Sequence, residues 1–430
     1  MEDHPGRIVE RAGEHTLMSP RSSSWTTATL AVLVIAFLDG LGMANARFTQ
    51  SAQDANQFLP CWEAARAWLA TGQSPYDPQV SLSVQTRLYG REAVPEQGED
   101  QGRFTFPFPS ILLYAPWGLL DYPAARAGWM TLLEVLLVLA AVLSLRLASW
   151  RPPPMLLALL VAFGVAWPPG IRSIVDGHTA ILALVSSLAV VFCIQRGWDL
   201  AAGILLALAM ADPIVGLIVL LAGLAWAASH RRWSVVGSAL GTTGLLVAAS
   251  LALMPGWPLA WLQQMVAAIH VQSAVGIEWG LLSQGVRSAP GILAALLLLA
   301  AAWVLWSCLG RGERWLLWSI AVLLVLGTWL TRLVIGTSSL VYLLPAVMLV
   351  LGGIGQRIPR FGNWIVATAL LLIGFGSWAL FLSASSETEG GVVGASIAPA
   401  LACLGLLWVR WWVTRGAEVR GLLFEGQDAG

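Results

Sequence analysis

Lysine is absent from this 430-residue chain, so all 24 of its cationic side chains are arginine. Charged residues of either sign are also scarce, at 11% of the chain against about 25% in soluble domains. The formal net charge is zero, which leaves no basic domain suited to binding nucleic acid. The scarcity of charge, together with a hydrophobic fraction of 57%, indicates a protein that uses lipid as its solvent.

Cysteine is rare, and the four cysteines lie far apart in the sequence. Three of them, Cys193, Cys308 and Cys403, fall inside apolar runs, where a thiol behaves as a small hydrophobic group. This distribution predicts no disulfide framework. Asp-x-Asp pairs and His/carboxylate spacings typical of metal ligands are also missing from the segments that we place outside the membrane. We therefore expect neither a metal nor a cofactor.

Long apolar runs are what the sequence has in abundance. They predict an all-α polytopic membrane protein with about twelve transmembrane helices. Residues 1–24 are polar and predict a disordered cytoplasmic tail, 25–414 the transmembrane domain, and 415–430 a second cytoplasmic tail. The first run ends in a signal-peptidase-like Ala-Asn-Ala, but it is long enough to span, and we interpret it as an uncleaved anchor. The runs are 26–46, 124–147, 154–169, 177–195, 200–211, 213–228, 233–254, 288–309, 315–333, 338–355, 362–382 and 393–413.

Arginine placement predicts the orientation, because short cytoplasmic loops collect positive charge. The arginines of six inter-helix or terminal segments fall on the side of the N-terminal tail if the spans alternate. We therefore expect both termini to be cytoplasmic and the protein to lie in the inner (plasma) membrane. These arginines are Arg146, Arg151, Arg196, Arg231, Arg232, Arg311, Arg314, Arg357, Arg360, Arg415 and Arg420.

The segment 47–108 is the longest stretch predicted on the opposite, extracytoplasmic side. Phe58, Trp62, Ala65 and Leu69 recur at helical spacing, which predicts an interfacial helix with its apolar face on the membrane. Gly72 should end this helix, and Gln57 should lie near its start. A second, short interfacial or re-entrant helix is expected over 111–120.

Three stretches in this order resemble glycosyltransferase family 87, which has the GT-C fold. They are 63–78, which contains Gly-x-x-Pro-Tyr; 104–116 with 124–129; and 171–180 with 202–209. The resemblance implies an inverting transferase that moves a hexose, usually mannose, from a polyprenyl phosphate carrier to an extracytoplasmic glycan or glycolipid acceptor. The lipid-linked donor is then a substrate and the membrane lipid a partner. A relative that only binds or moves a lipid-linked glycan is the alternative, and a conventional transporter is a third possibility.

The resemblance also implies roles for particular residues. Its catalytic aspartate slot, just before Phe58, holds Gln57, which has no titratable proton, so Asp54 becomes the candidate base. Glu63 is the competing acid, although a surface pairing with Arg66 explains it better. Relatives often have Lys-Pro where this chain has Asp212-Pro213. The expected substrate-binding residues are Gln57, Tyr76, Arg103, Arg172, Asp176, His178 and Arg332.

Overall fold

A computed structural model describes residues 24–51, 56–97, 99–274, 289–335, 339–358, 360–383 and 389–415. These residues form helices and connecting turns, and no strand occurs among them. The seventeen α-helices are α1 Ser24–Ser51, α2 Phe58–Thr71, α3 Pro78–Tyr89, α4 Ile111–Gly118, α5 Tyr122–Leu147, α6 Pro154–Ala166, α7 Pro168–Val175, α8 Ala180–Arg196, α9 Asp199–Leu208, α10 Pro213–Ser229, α11 Trp233–Leu253, α12 Trp257–Ala274, α13 Ala289–Cys308, α14 Glu313–Ile335, α15 Leu344–Arg357, α16 Gly362–Ser383 and α17 Glu389–Arg415.

Six stretches of helix in the described residues are long and apolar enough to cross a membrane. The bent pair α6 and α7, with an angle of 48° between its halves, would make a seventh. Five further apolar helices are shorter, and the count of twelve spans stays a prediction. The six stretches are Val32–Ser51, Tyr122–Leu147, Trp233–Leu253, Glu313–Thr331, Leu340–Arg357 and Gly362–Leu382.

Helix α5 lies at the centre of the bundle and contacts α1, α6, α8 and α15. Where α1 meets α5, the Asn45 Nδ2 donates to Glu134 Oε2 and to Thr131 Oγ1, both at 3.0 Å. An ionisable residue inside an apolar helix is costly unless it finds a partner. The Asn45 amide is such a partner for Glu134.

The arginine-rich turns lie together at one end of the bundle. Arg232 donates to the Ile194 carbonyl at 2.8 Å and forms ion pairs with Asp199 and Glu313, each at 3.3 Å. Nearby in the sequence, the Trp226 indole donates to the Arg311 carbonyl at 2.8 Å. The turns around Arg196, Arg232 and Arg311 therefore contact one another, as expected if successive spans alternate in direction and place these turns on one side of the membrane. The side of the membrane that they face remains a prediction.

Helix α2 has the predicted boundaries but a different environment from the one expected. Gln57 precedes it, and Gly72 ends it with a left-handed backbone (φ +69°). Its apolar face does not rest on lipid: Phe58 and Trp62 are at most 1% exposed, because α4 and α5 cover that face. The Phe58 ring stacks on Trp129 with centroids 5.4 Å apart.

Glu63 and Arg66, on the surface of α2, have other partners than the expected pairing with each other. The Ser83 hydroxyl, on α3, donates to Glu63 Oε1 at 2.9 Å. The Arg66 guanidinium instead lies over the Trp62 ring, 5.3 Å from its centroid. The reason is α3, a helix that the sequence pattern did not predict and that packs against α2.

Helices α9 and α10, which occupy the two short apolar runs 200–211 and 213–228, form a hairpin. A 3-10 turn, Ala209–Ala211, follows α9, and Asp212 begins α10 at the tip of the hairpin. Asp212 is 4% exposed and packs beside the 3-10 turn Leu340–Leu343 that leads into α15. The hairpin thus brings a carboxylate to the end of the bundle opposite the arginine-rich turns.

Candidate functional site

The start of α2 is joined to the turn that connects α7 and α8. The backbone nitrogen of Gln57 donates to the Asp176 carbonyl at 2.9 Å, and the Trp129 indole donates to the Gly177 carbonyl at 3.0 Å. Two stretches that the sequence separates by more than a hundred residues therefore form one surface. It carries three predicted substrate-binding residues, Gln57, Asp176 and His178.

Gly177 is the residue that permits this close approach. Its φ is +68°, a conformation that glycine adopts without steric cost. A Cβ at this position would lie 2.6 Å from the Phe58 Cβ and 3.4 Å from the Trp129 ring. The backbone geometry and the surrounding space therefore both require glycine here.

The hydrogen bonds of His178 define its protonation state. Its Nδ1 accepts the backbone N–H of Ala180 at 3.0 Å, so Nδ1 carries no proton. The proton of a neutral ring must then lie on Nε2, which is 2.9 Å from the Ser339 Oγ and donates to it. Burial lowers the pKa of His178, against the opposite effects of Asp212 and Asp176. His178 is thus held as a neutral hydrogen-bond donor that orients Ser339.

Asp176 and Arg172 form a surface pair next to this histidine. The Arg172 Nε lies 3.5 Å from Asp176 Oδ2, and the arginine side chain is 70% exposed. Burial raises the pKa of Asp176, while Arg172 and His178 act to lower it. An exposed guanidinium with one longer contact can turn toward an external anion at little cost.

Asp212 and Tyr342 form a buried contact that sequence reasoning did not pair. The Tyr342 hydroxyl donates to Asp212 Oδ2 at 2.7 Å, and the other carboxylate oxygen accepts the Val215 N–H at 3.4 Å. The Asp-Pro dipeptide before an apolar run was the available signal for a helix cap. No sequence signal linked this position to Tyr342, which follows it by 130 residues.

Four predicted residues remain: Tyr76, Arg103, Arg332 and Asp54. The Tyr76 hydroxyl donates to the Phe106 carbonyl at 2.9 Å, so its described contact anchors the aromatic segment 104–108. Arg103 is half-buried in the loop before that segment. Arg332 lies on α14, and its side chain is outside the described part of the chain, as is the whole of Asp54. The substrate-binding roles of Tyr76, Arg103 and Arg332 and the catalytic role of Asp54 therefore stay predictions.

A cavity of about 250 Å³ lies beside the end of α1, close to the start of α2. The Arg87 guanidinium lies over two rings there, 5.2 Å from the centroid of Trp62 and 5.6 Å from that of Tyr122. Asn56 donates to the Tyr122 hydroxyl at 2.8 Å, which leaves the phenolic hydrogen able to point elsewhere. Sequence reasoning missed Arg87 because it missed α3. The lining residues are Thr49, Gln50, Leu59, Arg87, Leu88, Tyr122 and Pro123.

Comparison with known proteins gives a match at the level of the family. Neither the curated proteins nor the solved structures contain a significant relative. The family described as glycosyltransferase family 87 matches residues 104–331, just over half of the chain. The match includes Arg172, Asp176 and His178 and begins after Asp54, Gln57, Tyr76 and Arg103. The aromatic segment, the turn 176–178 and the hairpin tip at Asp212 thus all fall within the matched region, and the chain belongs to glycosyltransferase family 87.

Proposed function

We propose that this membrane glycosyltransferase moves a hexose, mannose by preference, from a polyprenyl phosphate carrier to a glycan or glycolipid acceptor outside the inner membrane. The membership of family 87 carries the proposal. The hydrogen bond between Gln57 and Asp176 supports it, because it joins the start of α2, where the resemblance puts the base, to the polar turn within the matched region. We expect no metal and no cofactor, since the lipid-linked sugar is itself the activated substrate.

The proposed reaction is a single displacement with inversion. An acceptor hydroxyl oxygen forms a bond to the anomeric carbon while the bond from that carbon to the phosphate oxygen breaks. The phosphate leaves with the bonding electron pair, and Asp54 takes the hydroxyl proton. Asp54 stands two positions before Asn56 in the sequence, and the Asn56 amide donates to the Tyr122 hydroxyl.

The remaining residues would bind the two substrates. Arg103, Arg172 and Arg332 suit a phosphate, because guanidinium groups make paired, charge-assisted hydrogen bonds to phosphate oxygens. Gln57, Tyr76, Asp176 and His178 suit sugar hydroxyls, with His178 acting as a donor in the tautomer described above. In this account both termini are cytoplasmic and the surface formed by Gln57 and the 176–178 turn is extracytoplasmic.

A second candidate function is that of a relative that binds or moves a lipid-linked glycan without transferring it. Gln57 favours this alternative, because an amide in the expected aspartate slot cannot accept the acceptor proton. The two candidates differ in whether a new glycosidic bond forms.

The test uses the purified protein in proteoliposomes with radiolabelled polyprenyl-phosphate mannose and a glycolipid extract as the acceptor. The proposal predicts a labelled product whose new anomeric bond has the opposite configuration to that of the donor. Nucleotide-linked mannose serves as the control donor and should give no product. Transfer from the nucleotide donor alone, or no transfer from any lipid-linked hexose, would refute the proposed reaction.

A further inference from the structure

We infer that the cavity between α1, α3 and the start of α5 binds the phosphate group of a lipid. The inference rests on the proposed function only for the identity of the lipid, a polyprenyl phosphate, and it adds Arg87 to the arginines proposed above to bind the donor's phosphate. The observations that carry it concern charge, hydrogen bonding and position.

Among the described residues, the lining of this cavity carries a positive charge. Arg87 is exposed at the cavity wall, and the described lining residues include no acidic side chain. Within the described residues no carboxylate lies at ion-pairing distance from Arg87, whereas Arg91, one turn later on the chain, is paired with Glu99 at 2.7 Å. The Arg87 side chain is nevertheless fixed in place by its contacts with the Trp62 and Tyr122 rings. A cation held by aromatic rings keeps its N–H donors available for an anion.

Polar groups in the cavity complement that cation. The Tyr122 hydroxyl accepts from Asn56 and therefore retains its own hydrogen for another acceptor. The charged groups that act electrostatically on this hydroxyl among the described residues are Arg87 and Arg126, and both are cations. Gln50 adds an exposed amide at the end of α1. An anion with several acceptor oxygens, such as a phosphate, fits this set of donors.

The position of the cavity identifies the anion as part of a lipid. It lies at the end of a candidate span that is only 11% buried, so most of α1 is free to face lipid. Val32 and Met43 share the helix face of Gln50 and are 64% and 61% exposed. An apolar chain running along this face would place its phosphate at the Arg87 cavity. Asp39 is also on this face, but it is eleven residues before Gln50, roughly 16 Å of helix rise away. Its negative charge is therefore distant from the proposed position of the phosphate.

Arg66 offers a matched control for Arg87. Its guanidinium lies over the same Trp62 ring at nearly the same distance, 5.3 Å against 5.2 Å, but Arg66 does not line the cavity. Loss of a general surface charge or of stacking on Trp62 would affect both arginines. Loss of a phosphate contact would affect Arg87 alone.

The experiment measures binding of radiolabelled decaprenyl phosphate to the purified full-length protein in phosphatidylcholine nanodiscs. Arg87→Gln should weaken binding by about 10-fold or more, the usual effect of losing a charged hydrogen bond, while Arg66→Gln should stay near the parent. Gln50→Glu, which adds a negative charge at an exposed position of the cavity lining, should weaken binding comparably by repulsion. Equal affinities of Arg87→Gln and the parent, or equal losses in both arginine variants, would overturn the inference.

Competitors identify the source of the phosphate. Unlabelled decaprenyl phosphate should displace the label, whereas decaprenol, phosphatidylglycerol and inorganic phosphate should not at the same concentration. Competition by inorganic phosphate or phosphatidylglycerol at equal strength would overturn the assignment to a polyprenyl phosphate. Arg87-dependent binding without sugar transfer would leave the inference standing and refute the proposed function. If Arg87→Gln transferred sugar with an unchanged KM for the donor, the proposed function would stand and the inference about the cavity would be refuted.

Discussion

The backbone nitrogen of Gln57 donates a hydrogen bond of 2.9 Å to the carbonyl oxygen of Asp176. This contact fixes the start of α2 against the turn between α7 and α8, where Asp176 and His178 are found. The proposed active surface therefore depends on a backbone contact between two distant stretches of the chain. Substitutions that change the separation of those stretches should disturb it without touching a polar side chain.

Gly177→Ala should be strongly destabilising. The left-handed backbone costs a non-glycine residue about 1–2 kcal/mol, and the added methyl group must also displace Phe58. Gly72→Ala is the matched control, because Gly72 has nearly the same φ, +69°, and has nothing within 4 Å of an added Cβ. Thermal unfolding of the two purified variants should show the larger loss for Gly177→Ala. Equal losses would mean that the approach of Phe58 to the turn does not constrain the fold.

His178 should make the stability of the protein depend on pH. Burial lowers its pKa in the folded protein, so the unfolded chain binds the proton more readily. The contribution of neutral His178 to stability is then fully present above the ordinary histidine pKa of about 6.5. It is lost as the pH falls through the lower pKa that His178 has in the folded protein. We expect the Tm of the parent to fall more between pH 7.5 and 5 than that of His178→Gln. An identical pH profile in the two proteins would contradict the assigned neutral state.

Tyr342 should stabilise the buried Asp212 carboxylate. Tyr342→Phe removes the 2.7 Å hydrogen bond and leaves a buried acceptor without that donor, which typically costs about 1–3 kcal/mol. The same substitution should cost less in an Asp212→Leu background, where no carboxylate is left unsatisfied. A double-mutant cycle on the free energy of unfolding measures the difference. Additive effects would show that the two side chains are energetically independent.

The proposed orientation predicts which cysteines can be labelled from outside the cell. A membrane-impermeant maleimide should label Gln97→Cys in intact cells and Gly312→Cys only after permeabilisation. The native Cys61 gives no background, because burial raises its pKa to about 12 and the thiolate is the reactive form. The parent protein is the control. The reverse labelling pattern would place the proposed active surface in the cytoplasm.

Local features of the fold were predictable from the sequence, whereas long-range contacts were not. The ends of α2 followed from Gly72 and from the proline in its first turn, and the short helix α4 followed from its apolar run. Helix α3 was missed because its apolar residues are interrupted by polar ones and its sequence reads as surface. Without α3, neither the hydrogen bond of Ser83 to Glu63 nor the position of Arg87 could be expected.

In the candidate site, too, local features were predictable from the sequence and long-range contacts were not. Asp176 and His178 were recognised because polar residues cluster in a short turn between apolar runs. The partners Ser339 and Tyr342 come from a distant helix start, and no spacing rule links them to His178 or Asp212. Phe58 looked lipid-facing because periodicity reports an apolar face and not what covers it. Its contact with Trp129 depends on how α5 packs.

The rate of sugar transfer by Asp54→Asn tests the account most directly. The parent, Asp54→Asn, Glu63→Gln and Gln57→Asp would be purified and compared with polyprenyl-phosphate mannose as donor. A positioned base contributes about 10²- to 10⁴-fold, so Asp54→Asn should lose that much turnover with an unchanged gel-filtration profile. Glu63→Gln should stay near the parent, since Glu63 accepts a hydrogen bond from Ser83 on the α3 side of α2. Undiminished transfer by Asp54→Asn, or transfer that appears only in Gln57→Asp, would contradict the account.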